Sequence, residues 1–164
     1  PLAFLEILFG IEDKKNISKH LDEYDFQKLK LKFLDKDEIK IFSTLCQDGI
    51  FSVDEIIYNK SDKVLIATFS RFCWEFVEKK IKDKTFYRVV SGIRICNVDK
   101  INYVNKDKID TSKFINLLSV NNQENEITLN FSLEITIKLL IEKIEIYLDD
   151  LDMPWPTGKK PMHK

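Results

Sequence analysis

The sequence predicts an α+β domain: a mainly antiparallel sheet of six or seven strands, curved or barrel-like, flanked by an N-terminal helix and a short C-terminal helix. Three observations predict it. Apolar residues alternate with polar ones in successive segments from Leu29 to Ile141, which is the period of a half-buried strand. Short polar connections separate these segments, so neighbours in sequence pair antiparallel instead of through crossover helices. Few stretches carry the three- and four-residue spacing of an amphipathic helix.

Composition bounds the answer. The chain has 164 residues, 44% of them apolar and 32% charged, with 26 basic residues against 27 acidic ones. That length holds one domain and an appendage and can bury a core. The balanced charge argues against a dedicated nucleic-acid or membrane-surface binder, because such proteins displace counterions with a large positive field. Four Gly and four Pro exclude collagen-like and linker-like classes. Cys46, Cys73 and Cys96 are too widely spaced for a disulfide framework or a zinc site, so no metal and no cofactor is predicted. The apolar opening from Pro1 to Ile11 carries Glu6 and falls short of the roughly 20 residues of a bilayer span, which predicts a cytoplasmic protein.

Taken in order, residues 1–28 read as a helical arm, with Leu2, Leu5, Leu8 and Phe9 and then Ile17, Leu21 and Tyr24 at helical steps. Leu29, Leu31 and Phe33 alternate with lysines and suit a short strand. Asp35 is a natural N-cap with Glu38 placed to complete a capping box. Ile39, Phe42, Leu45 and Cys46 give that helix its apolar stripe, and Gly49 offers a left-handed terminus. The period changes to two from Ile50. The segments 50–58 and 64–72 flank a hairpin loop of Asn59, Lys60, Ser61 and Asp62, with a bulge expected between Val53 and Ile56. Residues 78–85 and 105–113 read as charged loops, 86–104 as strand broken near Asn97, and 114–120 as a short strand.

From Ile127 to Ile141 every odd position is apolar, and one strand of that length would span about 50 Å, too long for this domain. A hairpin turning near Ser132–Glu134 is expected instead. Ile141, Ile144, Leu148 and Leu151 then fit a short closing helix, ended by Pro154 and Pro156. A single domain over 29–153 and a Pro/Lys-rich tail over 154–164 complete the organisation. Curved sheets of this strand number roll toward barrels, and a PH-like roll is among the arrangements allowed.

The segments RFCWE (71–75), FYRVVSGIRI (86–95), LLSV (117–120) and the ending DLDMPWPTGKKPMH (150–163) together resemble the small alphaproteobacterial DUF2948 family. The resemblance covers about 29–163. It implies a single cytoplasmic bacterial domain with no established activity. Lys159 and Lys160 stand where the family pattern implies arginine, and the arm before Leu29 lies outside the resemblance.

No nucleophile elbow, phosphate loop or metalloprotease motif is present, and no catalytic residue is assigned. His20 sits in a charged stretch and His163 is the penultimate residue, with nothing nearby to orient either ring. The arginines are more informative. In a chain that uses lysine almost everywhere, Arg71, Arg88 and Arg94 mark places where a planar five-donor fork meets a carboxylate, a phosphate or an aromatic face. Arg88 and Arg94 are six residues apart, on one face of an unbroken strand. Each could instead pair with a structural carboxylate such as Glu75 or Asp54. Trp74 reads as core, and Trp155 between two prolines either pins the tail or presents an aromatic anchor. The candidate binding residues are therefore Arg71, Trp74, Glu75, Arg88, Arg94 and Trp155. The leading expectation is a non-enzymatic binding or assembly module engaging a protein partner or a second copy. The alternative is a small-molecule or anion-binding domain with an arginine-lined pocket.

Overall fold

The computed structural model describes residues 27–77, 85–108 and 114–162, so the helical reading of residues 1–26 and most of both charged loops lie outside the described residues. Ten strands and one α-helix are found there. They are β1 (Lys30–Phe33), α1 (Lys36–Cys46), β2 (Ile50–Asn59), β3 (Val64–Phe72), β4 (Phe86–Ile95), β5 (Val98–Val104), β6 (Phe114–Gln123), β7 (Glu126–Phe131), β8 (Thr136–Ile141), β9 (Ile146–Asp150) and β10 (Trp155–Thr157). One 3-10 turn, Trp74–Phe76, follows β3, and another, Lys106–Lys108, follows β5.

All pairings are antiparallel, in the order β1-β9-β4-β3-β2-β6-β7-β8-β5, with β10 added to β4. Two meanders, β2-β3-β4 and β6-β7-β8, join where residues 50–52 of β2 pair with residues 114–116 of β6. Their inner faces share one core. Phe51 links them, stacked on Phe69 at 4.4 Å and edge-on to Phe131 at 5.3 Å. The sheet stays open, with β1 and β5 at its ends, so the expectation of a mainly antiparallel sheet holds and barrel closure does not occur.

Two expectations need correction. The strands number ten, not six or seven, and the predicted C-terminal helix is absent from the described residues. The segment read as that helix is β9, hydrogen-bonded on both edges, to β1 and to β4. Ile146, Leu148 and Asp150 are its buried positions, which is the period of a strand. The third inward residue is a carboxylate, so the apolar alternation is too short to read. Ile141, Ile144, Leu148 and Leu151 imitate a helical stripe in its place. β10 is the other addition, formed by a proline-flanked segment that reads as tail.

Helix α1 forms as its caps dictate. The Asp35 carboxylate accepts from the Glu38 amide at 2.8 Å, and the Glu38 carboxylate accepts from the Leu34 amide at 3.2 Å. Ile39, Phe42, Leu45 and Cys46 are buried beneath it. Asp48, not Gly49, takes the left-handed conformation after the helix, with φ 64°. Gly49 is needed for closeness: a β-carbon there would lie 2.7 Å from the Phe69 ring and 2.9 Å from the Cys46 carbonyl oxygen. The expected bulge in β2 appears as a register shift between Phe51 and Ile56.

The β7-β8 turn falls where expected, but on unusual residues. Leu133 and Glu134 have φ of 61° and 60°, and the Ile135 amide donates to the Ser132 carbonyl at 3.3 Å. Two consecutive positive φ values define the hairpin turn that an Asn-Gly pair satisfies without strain. Leu133 is exposed and has little burial to lose. The double substitution Leu133→Asn with Glu134→Gly should therefore raise stability by about 1–2 kcal/mol. In urea titrations the midpoint should rise at unchanged m, and an unmoved midpoint would show that the turn stores no strain.

Candidate functional site

Alternation along β3 turns Arg71 toward the core, where it is completely buried. Its guanidinium meets two carboxylates. Nη1 and Nη2 donate to Glu75 Oε2 and Oε1, both at 2.8 Å, while Nε and Nη2 donate to Asp150 Oδ1 and Oδ2 at 3.1 and 3.0 Å. The remaining Nη1 hydrogen reaches the Phe72 carbonyl at 3.4 Å, so all five donors are engaged. Asp150 also accepts from the Leu29 amide at 2.9 Å and from the Ser91 hydroxyl at 2.7 Å. Burial works against the Arg71 charge, but Glu75 above all, with Cys73 and Asp150, outweighs it and holds the pKa well above the ordinary guanidinium value. Arg71 and Glu75 are thus brought together as a structural knot, and Asp150 is the member that sequence reasoning missed.

Arg88 lies on the opposite face of the sheet. There a cleft of about 530 Å³ opens where β2, β3, β4, β6 and β10 converge. Register assembles its floor: Ile50 pairs with both Asn116 and Ser70, and Arg88 pairs with both Phe72 and Trp155. Beyond β10 the chain brings Lys159, Lys160 and Pro161 to the rim, while Asp48, just after α1, contributes the one carboxylate of the lining among the described residues. Arg88 Nη1 donates to the Ser70 carbonyl at 3.1 Å, and Nη1 and Nη2 both reach the Asp48 carbonyl at 3.3 Å. Its guanidinium lies 5.5 Å from the centre of the Phe72 ring. Burial pushes the Arg88 pKa down, with Asp48 opposing, yet a guanidinium remains charged. Among the described residues, Nε–H and the second Nη2–H have no acceptor. They form one edge of the fork, the geometry that grips two oxygens of a carboxylate or phosphate. Lys159 and Lys160 likewise have no ion pair among the described residues.

Arg94 shares the outer face with Arg88, as the spacing predicted, but is exposed and stacks over Tyr147, its register partner, at 4.4 Å. The three arginines therefore do not converge. Trp74 is half-buried, edge-on to Phe72 at 4.6 Å, and its indole N–H donates to the Gln47 carbonyl at 2.7 Å. Trp155 sits in β10 and lines the cleft. Burial first, and then Glu75, push the Cys73 thiol well above its ordinary pKa despite the adjacent Arg71. Among the described residues no group of three or more His, Cys, Asp or Glu side chains could hold a metal ion, and no helix is long and apolar enough to cross a membrane. His20 and His163 lie outside the described residues.

Asp48, Ser70 and Asn116 carry no sequence signal as site residues, because each reaches the cleft from a different element. Lys159 and Lys160 were legible only as a basic tail.

The model of a family described as a protein of unknown function (DUF2948) matches residues 29–163, the segment over which the resemblance was read. No curated protein and no solved structure matches the chain.

Removing one partner of a buried ion pair leaves an uncompensated charge. Asp150→Asn should therefore lower the unfolding free energy by about 3–5 kcal/mol. Arg88→Lys, at a half-buried site, should cost under about 1 kcal/mol. Chemical denaturation of the two variants checks this, and equal losses would refute the division between knot and cleft.

Proposed function

The chain belongs to the DUF2948 family over residues 29–163, and we propose that this domain is a non-enzymatic binding module whose outer-face cleft takes a small anionic ligand. One observation carries the reading: the unaccepted Nε/Nη2 edge of Arg88, in a cleft that also gathers Lys159 and Lys160. Three unbridged cysteines support a reducing compartment, in keeping with the bacterial cytoplasm that the family resemblance implies.

A second reading, docking of another protein or a second copy, is supported by the outer-face row Ile57, Ile66, Arg94, Tyr147. Ile57 and Ile66 are register partners, 58% and 45% exposed, beside a cation. Self-association in sedimentation velocity that Ile66→Glu abolishes is the outcome this reading requires. A monomer at every concentration removes self-association through this row.

The cleft is tested by nitrogen-15 NMR titration with inorganic phosphate and with acetate. The Arg88 Nε–H resonance should shift, and raising the salt should weaken binding. Arg88→Lys keeps the charge but loses the fork, and should weaken binding about tenfold, the value of about 1.4 kcal/mol. Unchanged affinity in that variant would overturn the assignment.

A further inference from the structure

We infer that the ligand of this cleft is a phosphomonoester carried on a planar ring, a step that rests on the anion-binding reading above. Charge is the first argument. Among the described residues, the lining brings Arg88, Lys159 and Lys160 against the single carboxylate of Asp48. A carboxylate ligand supplies one negative charge, whereas a phosphomonoester carries about −1.5 to −2 at neutral pH. It also has a third oxygen left for an ammonium group after two have engaged the Arg88 edge.

Size is the second argument. A volume of about 530 Å³ lies within the range of sites that enclose whole small molecules, and a lone phosphate would leave most of it to water. The carrier is read from the walls. Trp155 is 39% exposed, held in place by the pairing of β10 with β4, and borders the cleft with Ile50 and Pro161. An indole so presented is a stacking platform for a flat ring. The Asn116 carboxamide lines the same space without a partner among the described residues, and offers a donor and an acceptor to ring substituents.

The probes are inorganic phosphate, phenyl phosphate, adenosine 5′-monophosphate, adenosine and benzoate, each titrated calorimetrically into the full chain. At least one ring phosphomonoester should bind about tenfold tighter than inorganic phosphate, adenosine or benzoate, a difference of about 1.4 kcal/mol. Which of the two prevails distinguishes a nucleotide from an aryl phosphate such as a phosphotyrosine side chain. Trp155→Leu should remove the ring's advantage while phosphate affinity persists, and Trp155→Tyr should restore it. The inference is overturned if the ring phosphomonoesters bind no tighter than phosphate, which leaves the anion site standing. Benzoate matching phenyl phosphate overturns it equally. Failure of every probe overturns both this inference and the anion-binding reading.

Discussion

The buried Arg71 guanidinium is the constraint to which much of this fold answers. A charge with no access to water is tolerated only when every donor is met, and here five donors find two carboxylates and a carbonyl. Those acceptors come from distant parts of the chain. Glu75 is supplied by the turn after β3, and Asp150 by the end of β9. Asp150 in turn holds the Leu29 amide and the Ser91 hydroxyl, so the knot joins the start of the domain, β3, β4 and β9. Strand β9 must insert between β1 and β4 for these bonds to form. The same insertion decides the cleft. Five residues after Asp150 the chain has returned to the edge of β4 as β10, which brings Trp155 beside Arg88.

The two arginines show why scarcity of a residue type is a weak guide until its donors are counted. Arg71 and Arg88 lie on neighbouring strands and face opposite sides of the sheet. Arg71 is saturated, and the knot it forms with Glu75 and Asp150 carries one more negative charge than positive, so it has nothing left for a ligand. Arg88 is anchored by two backbone carbonyls that satisfy one end of its fork and leave its side edge. Neutral acceptors hold the group in place without cancelling its charge. That combination of fixed orientation and a net positive lining, with Arg88, Lys159 and Lys160 against the Asp48 carboxylate, suits recognition of an anion.

Local chemistry was legible in the sequence. The Asp35 cap, the Ile39 to Cys46 stripe, the loop at Asn59 to Asp62 and the turn after Phe131 each depend on neighbours a few residues away, and each appears where its residues indicate. Partnership across the chain was not legible. β9 is a central strand whose inward row ends in a carboxylate, and only the buried arginine opposite explains Asp150 there. The cleft was opaque for a related reason. Its residues come from β2, β3, β4, β6, the end of α1 and the C-terminal segment, so no single stretch carries its signature.

The cleft also depends unequally on the parts that build it. Its floor belongs to strands anchored by extensive ladders, whereas Trp155, Thr157, Lys159, Lys160 and Pro161 come from the C-terminal segment, attached by three register pairs. Pro156, the middle residue of that short strand, has no N–H to donate. The segment therefore docks with modest intrinsic stability, while carrying the ring and two of the three cations. In the anion-binding proposal, a ligand that bridges Arg88 and the two lysines would add its binding free energy to the docked state alone, and so would stabilise that state by mass action. Any affinity of the cleft would then include the work of seating the segment. Substitutions in β10 that touch no ligand can weaken binding as effectively as loss of a lysine.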